Sequence, residues 1–487
     1  MPFIPVILWT DALIYLLLVL IALFVWYVRG RPHLVAPWWR VAQSKSGMVA
    51  ATVLAAYLVV GLLDSVHFRL PLEGNAAERA YSVEALSVFD VLAKPLRTRV
   101  EKTYSAPLAA YLFAKETIEL PDGREIRDYP RLKYGAANLR DPGKERAEDI
   151  TRRVLYSLFL AALAWLVVAA ALVWLVAKRR RRIFSETARA LWRGESEIPW
   201  FAILVTLGIL ILFVFPVSVL STHYHVFGTD KVGQDVLYLS LKSIRTALII
   251  GTLTTLVMLP FALAMGIMAG YFRGWVDDGI QYFYTTLSSI PDVLLIAAAV
   301  LMMQVFMDTH PQLFPTITER ADFRLLFLCI ILGVTSWTSL CRLLRGEALK
   351  LRELEYIQAA HAFGVSHMRI MTRHILPNVM HIVLITVVLS FSGLVLAEAV
   401  LTYVGVGVDP SMISFGTMIN SARLEMAREP IVWWSLLAAF LFMFMLVLAA
   451  NLFADAVRDA FDPRVRTATK PFTAEGAEDA EKFKNPG

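Results

Sequence analysis

Residues 355–378 read EYIQAAHAFGVSHMRIMTRHILPN, and an apolar run, Val379–Leu401, follows directly behind them. This stretch decides how the chain is read. Ala359, Ala360 and Ala362 give a helix a face of small residues that another protein surface can approach closely. Gly364 is placed to take a positive φ and end that helix. Ser366 is placed to cap a second short helix. Pro377 is placed to end that one, because the residue before a proline is pushed out of helical geometry. The expectation is a helix–turn–helix elbow within 342–378, lying along a membrane surface and leading into a span.

The composition agrees with a membrane protein. Of 487 residues 57% are hydrophobic and 18% charged, too few charges for a soluble protein of this size. Apolar runs of about 20 residues fit the hydrocarbon thickness that a helix must cross. Nine such runs are read: Val6–Val28, Gly47–Val66, Val154–Ala177, Trp200–Leu220, Ile244–Gly270, Gly279–Phe306, Leu325–Cys341, Val379–Leu401 and Val432–Phe453. The first is not expected to be a cleaved signal, because no basic stretch precedes it and no small-residue cleavage site follows. The net charge of +6 calls for no nucleic-acid partner, since the basic residues cluster where spans end. Cys329 and Cys341, twelve positions apart on one helix, would lie about 18 Å apart, too far to pair. They read as buried structural thiols.

Short loops rich in Lys and Arg stay cytoplasmic. Arg29, Arg31, Arg40 and Lys45 follow the first run, and Lys178, Arg179, Arg180, Arg181 and Arg182 follow the third. Both loops are expected inside, which puts the N-terminus in the periplasm and the C-terminus in the cytoplasm. The chain then divides into two N-terminal spans over 1–66, a periplasmic insertion over 67–153, and a third extra span with a basic linker over 154–199. A six-span core over 200–464 and a disordered cytoplasmic tail over 465–487 follow. Within the insertion, Glu84–Tyr104 has helical spacing interrupted by Pro95, and Thr117–Ile126 reads as a hairpin around Pro121, Asp122 and Gly123.

The elbow resembles the signature of permease subunits of type I ABC importers. That signature is Glu-Ala-Ala, three residues, Gly, nine residues, Ile, one residue, Leu-Pro. Ala359, Ala360, Gly364, Leu376 and Pro377 match at the right spacing, while Gln358 stands for the usual Glu and His374 for the usual Ile. Gln keeps the length and hydrogen bonding of Glu. The resemblance extends through Phe227, Gly228, Thr229, Asp230, Gly233, Gln234, Asp235 and Val236, and through Gly270 to Asp277. It continues in Leu396 to Ala399, Tyr403 to Gly407, and Asp459 to Arg464. These segments look like those of the C-type subunit of dipeptide and oligopeptide permeases, and they cover about Trp200 to Arg464.

The resemblance implies an all-α polytopic membrane protein: a six-helix core preceded here by about three extra spans and a small periplasmic domain. It implies no catalysis by this chain and no cofactor. The implied partners are a homologous second permease, two ABC ATPase subunits, a periplasmic solute-binding protein and the lipid bilayer. The implied location is the bacterial inner membrane. Gln358, Ala359, Ala360, His361, Gly364, Leu376 and Pro377 would couple to the ATPase within the 353–377 elbow. Gly228, Thr229, Asp230, Gly233 and Asp235 form the family's periplasmic motif.

Other features have plainer readings. Gly228 to Gly233 has phosphate-loop glycine spacing, but Gln234 and Asp235 stand where Lys-Ser/Thr is needed, so it reads as a turn before a membrane helix. His361, His367, His374 and His381 lie six or seven apart, unlike tight zinc pairs, and no metal is expected; the first two read as ATPase contacts. Glu398 is a carboxylate at the end of a span, and Asp11, in the first span, has similar standing. Glu398 is a candidate for pore or gate, weighed against structural hydrogen bonding at a helix end. Two other classes remain open: an ATP-independent secondary transporter or channel, and a membrane receptor or scaffold using the insertion. The first predicts charges paired at mid-membrane and related halves, whereas the span centres are almost charge-free.

Overall fold

The computed structural model describes residues 4–71, 81–82, 84–119, 125–180, 183–194 and 196–461. Strand β1 (Ile4–Val6) leads into helices α1 (Trp9–Arg29), α2 (Pro32–Gln43) and α3 (Lys45–Asp64). Strands β2 (His67–Arg69) and β3 (Leu86–Ser87) follow, with β2 central in an antiparallel sheet that sets Ile4 opposite Arg69 and His67 opposite Ser87. Next come α4 (Val88–Leu92), α5 (Lys94–Thr98) and the hairpin of β4 (Glu116–Glu119) with β5 (Glu125–Asp128). Pro121, Asp122 and Gly123, the turn read from the sequence, lie outside the described residues. So do Arg181, Arg182, Asp462 to Arg464 and the tail.

The remainder is helical: α6 (Pro142–Arg180), α7 (Phe184–Trp192), α8 (Trp200–Ser221), α9 (Val236–Phe272), α10 (Gly274–Ser289), α11 (Asp292–Thr309) and α12 (Ile317–Arg352). After these come α13 (Glu355–Ala362), α14 (His367–Ile370), α15 (Leu376–Tyr403), α16 (Phe415–Glu425) and α17 (Trp434–Phe461). Among the described residues nine helices are long and apolar enough to cross a membrane, with α14 and α15 joined into one of them.

Three differences from the sequence reading have physical causes. The run Gly279–Phe306 is two helices, because Ile290 is extended ahead of Pro291 and the proline opens α11. Helices α9 and α12 are far longer than their apolar runs. Asp235 accepts the Leu237 and Tyr238 N–H groups, and Thr316 accepts that of Glu319, so polar turns are capped and stay helical. Pro377 does not end the second elbow helix. A π-helical turn over Met371–Ile375 carries α14 straight into α15, and Pro377 sits in the first turn of α15. One wider turn absorbs the missing proline donor without a break.

Helices α9 and α12 form the central pair. Small residues let them close: a Cβ on Gly270 would lie 2.6 Å from the Ala348 Cβ and 2.6 Å from the Arg345 carbonyl. In lipid, where apolar burial drives little association, such close backbone contact is a main source of helix adhesion. Cys329 and Cys341 are both free and buried along α12. The bundle has two ends. At the elbow end the C-termini of α9 and α12 meet α13 and α14. At the opposite end lie the starts of α1, α9 and α12, the sheet, and the loop before α9.

Candidate functional site: the elbow and the loop before α9

Helix α13 ends in a Schellman turn. Gly364 has φ +75°, its N–H donates to the His361 carbonyl, and the Val365 N–H donates to the Ala360 carbonyl at 3.1 Å. A side chain at a positive φ meets its own backbone, which is why glycine belongs there. Ser366 takes the extended N-cap conformation before α14, but its side chain makes no cap bond. The turn holds Phe363 out in the open, 87% exposed, with Met368 at 67% and Tyr356 at 45% beside it. Gln358, Ala359 and His361 are exposed and Ala360 half-buried. The Gln358 amide donates to the Glu353 carbonyl, so it already has a local partner. Leu376 is half-buried and Pro377 exposed.

Behind this outer face the elbow is fixed on both sides. Ile357, Ile370 and Ile375 are buried against Tyr271, Trp337, Cys341 and Leu344. The Tyr271 hydroxyl and His367 Nδ1 are 2.8 Å apart, and Arg352 donates to the Tyr271 carbonyl at 2.7 Å. Arg273 pairs with Glu353. Arg345 grips Asp277 with two bonds of 2.6 and 2.7 Å. That grip holds the Asp277 carboxyl below the usual carboxylate range, against the opposing effect of burial. Sequence reading placed Tyr271, Arg273 and Asp277 in a matching segment but gave them no role. Their partners lie more than 60 positions away, so local spacing carries no trace of the pairing.

At the other end, the motif residues form a tight turn. Gly233 has φ +76°, and a Cβ there would lie 1.9 Å from the Glu101 carbonyl oxygen. Asp230 accepts the N–H groups of Val232 and Gln234, and Asp235 accepts those of Leu237 and Tyr238. The amides that a phosphate would need are therefore taken by the loop's own carboxylates. Thr229 bonds to the backbone of Thr103 and Ser105, and the Trp434 indole donates to the Thr229 carbonyl. The loop thus clasps the segment after α5.

Under that clasp His225 contacts Asp235 at 2.8 Å and Glu101 at 3.4 Å. Glu101 also accepts the N–H groups of Lys133, Tyr134 and Gly135. Burial pushes the His225 pKa down, but the bonds and charges of Asp235 and Glu101 push it further up, to about 9. Burial raises Glu101, and His225 with the three amides more than reverses that, leaving it at about 2. Neither residue was singled out from the sequence. Glu398 is 1% exposed and accepts from Thr402 at 2.8 Å and Ser414 at 2.9 Å, which is the helix-end bonding weighed above.

The family described as binding-protein-dependent transport system inner membrane component matches residues 262–467, which include the elbow. An oligopeptide transport system permease protein of Mycobacterium bovis is 32% identical over 243 residues, covering 50% of this chain and 77% of that protein. One of Haemophilus influenzae is 27% identical over 304 residues, 59% of this chain and 90% of that protein. A glutathione transport system permease protein of Pectobacterium atrosepticum is 30% identical over 245 residues, 50% of this chain and 74% of that protein. An elbow fixed behind and open in front, on a bundle of membrane-length helices that shares this much sequence with such proteins, belongs to one family: the chain is a binding-protein-dependent inner-membrane transport component, a permease of the peptide ABC importer type.

Proposed function

We propose that the chain forms one half of the pore of a peptide importer, the other half being a homologous permease, and that two separate ATPase subunits drive it through the elbow. The elbow end faces the cytoplasm, the N-terminus lies outside and the C-terminus inside. A solute-binding protein delivers substrate to the outer end. The core runs over 200–464, with residues 1–199 as an addition to it. Relatives named for oligopeptides, dipeptides and glutathione all handle amide-linked solutes, and this supports peptide as the cargo class.

One observation carries the mechanism. Phe363 and Met368 are offered outward by a turn whose inner side is bonded to the ends of both central helices. A push on that turn reaches α9 and α12 as a rigid displacement. ATP binding by partners can then favour one of two pore states through differential contact.

Gly364→Val tests this. The site has open space around it, so the cost is backbone strain alone, about 1–2 kcal/mol. Membrane insertion and basal ATPase activity of the reconstituted complex are expected to persist while peptide uptake falls at least roughly tenfold. Normal uptake would overturn the mechanism. Orientation has its own test. A membrane-impermeant thiol reagent should label Ala360→Cys in inside-out vesicles and not in intact cells.

A further inference from the structure

Helix α7 links two membrane-length helices, α6 and α8, and its level in the bundle can be fixed from their far ends. Asp149, near the start of α6, accepts from the Tyr224 hydroxyl just past the end of α8, beside the clasp. The end of α6, all of α7 and the start of α8 therefore lie on the elbow side. The two long helices are closely paired: the Trp165 indole lies against Gly208 and donates to the Leu204 carbonyl at 2.8 Å. A short helix between the ends of two adjacent spans sits at the level of the lipid headgroups.

The residues of α7 fall into arcs at helical spacing. Thr187 and Leu191 are buried on the bundle side. Phe184 and Trp192, two turns apart, form an exposed apolar arc, Trp192 to 71%. Arg189 and the C-cap residue Arg193 are exposed on the next arc round. Trp192 meets Phe201 of α8 edge to face, with ring centroids 5.3 Å apart. At the end of α6, Lys178 Nζ stands 4.9 Å over the Trp174 ring, and Arg179 is exposed beside it.

Positive charge accumulates here without partners. Among the described residues, Lys178, Arg179, Arg189 and Arg193 form no ion pair. Over 178–197 the sequence sets seven Lys and Arg against three Glu, so the surplus is positive however the side chains pair. The rule that keeps basic loops inside accounts for the sign of this charge, but it calls for no apolar arc turned outward beside it. Exposed Trp and Phe next to exposed Arg on one short helix is the pattern of a segment that lies in an anionic interface. An ATPase surface fits less well. The elbow is braced on α9 and α12, whereas α7 packs on α6 and α8, and α8 packs in turn on α3.

We propose that α7 and the end of α6 form a binding surface for anionic phospholipids. Phe184 and Trp192 enter the acyl layer, and Lys178, Arg179, Arg189 and Arg193 meet the headgroup phosphates. Which leaflet supplies the lipid rests on the reading above that the elbow end is cytoplasmic.

The test uses the full-length chain in its assembled complex in detergent, titrated with dioleoylphosphatidylglycerol or dioleoylphosphatidylcholine, with the first lipid bound counted by native mass spectrometry. Phosphatidylglycerol should bind at least roughly tenfold more tightly than phosphatidylcholine, at about fivefold per basic residue engaged. Arg189→Gln with Arg193→Gln leaves residues 178–182 in place to hold the orientation. It should weaken phosphatidylglycerol at least roughly tenfold and leave phosphatidylcholine unchanged. Lys115→Gln with Lys133→Gln removes the same charge from the insertion and should change neither lipid. Equal affinity for the two lipids, or an equal loss in the Lys pair, would overturn the proposal. So would an Arg pair that keeps its lipid preference but no longer retains the ATPase subunits, because the face would then be theirs. Both ends are open to lipid in detergent, so failure here sinks this surface alone, while the Ala360→Cys labelling judges the orientation by itself.

Discussion

Single residues hold the two ends of this bundle by different means. Gly364 is needed for its backbone alone, since nothing stands where its Cβ would be, whereas Gly233 is needed for both backbone and space. His225 is held by charge, and its consequence for pH can be worked out. Its folded pKa of about 9 lies above the ordinary 6.5, so its contribution is complete below 6.5 and is lost as pH rises through about 9. Glu101, at about 2 against an ordinary 4.5, contributes fully above 4.5 and loses that as pH falls through about 2. The pair stabilises the clasp fully between about pH 4.5 and 6.5. Replacing His225 by Ala strands two buried carboxylates and should cost about 3 kcal/mol near pH 6. The thermal unfolding midpoint in detergent would record this as a loss that shrinks toward pH 9.5. A pH-independent loss would mean that the imidazole acts by shape and not by charge.

At the scale of elements, what could be read from sequence depended on how local the cause is. The Schellman turn was legible because its glycine and small residues lie within one short stretch, whereas the α10–α11 break was passed over as one apolar run although Pro291 marks it. The π-helical turn at Met371–Ile375 was not legible, since Pro377 alone suggests a stop and only the packing of Ile370 and Ile375 against α12 shows why the helix continues. The same limit hid Tyr271, which braces the elbow from α9. Tyr271→Phe removes its bond to His367 and keeps the ring. A neutral hydrogen bond contributes about 0.5–1.5 kcal/mol, so ATP hydrolysed per peptide transported should rise about two- to tenfold while the assembled complex still purifies intact. An unchanged ratio would leave the bond as decoration on an elbow held by apolar packing.

For the molecule as a whole, helix α1 is bonded into the central α9–α12 pair and does not merely adjoin it. Asp11 on α1 neutralises Arg245 on α9 across 234 positions, and Thr10 bonds to Asp322 on α12 through both its N–H and its hydroxyl. No periodicity or spacing links residues so far apart, so sequence reading saw Asp11 only as an isolated carboxylate in the first span, of the same standing as Glu398. The pairing makes a definite energetic claim. Asp11→Asn leaves Arg245 with the Thr10 hydroxyl at 3.2 Å and the Asp322 carboxylate at 4.0 Å, and breaking a buried pair from one side costs about 3–5 kcal/mol. Arg245→Met should cost a similar amount, because it removes the cation between Asp11 and Asp322 and leaves them only His67 and Thr10 as partners. Removing both charges together is different in kind, since a buried pair often gives way to neutral side chains at little cost. The double variant should therefore be more stable than the sum of the single losses by more than about 1 kcal/mol, read as a coupling energy from thermal unfolding of all four proteins. Additive losses would mean that α1 adheres by apolar contact and that the 2.7 Å contact contributes nothing to holding this helix in place.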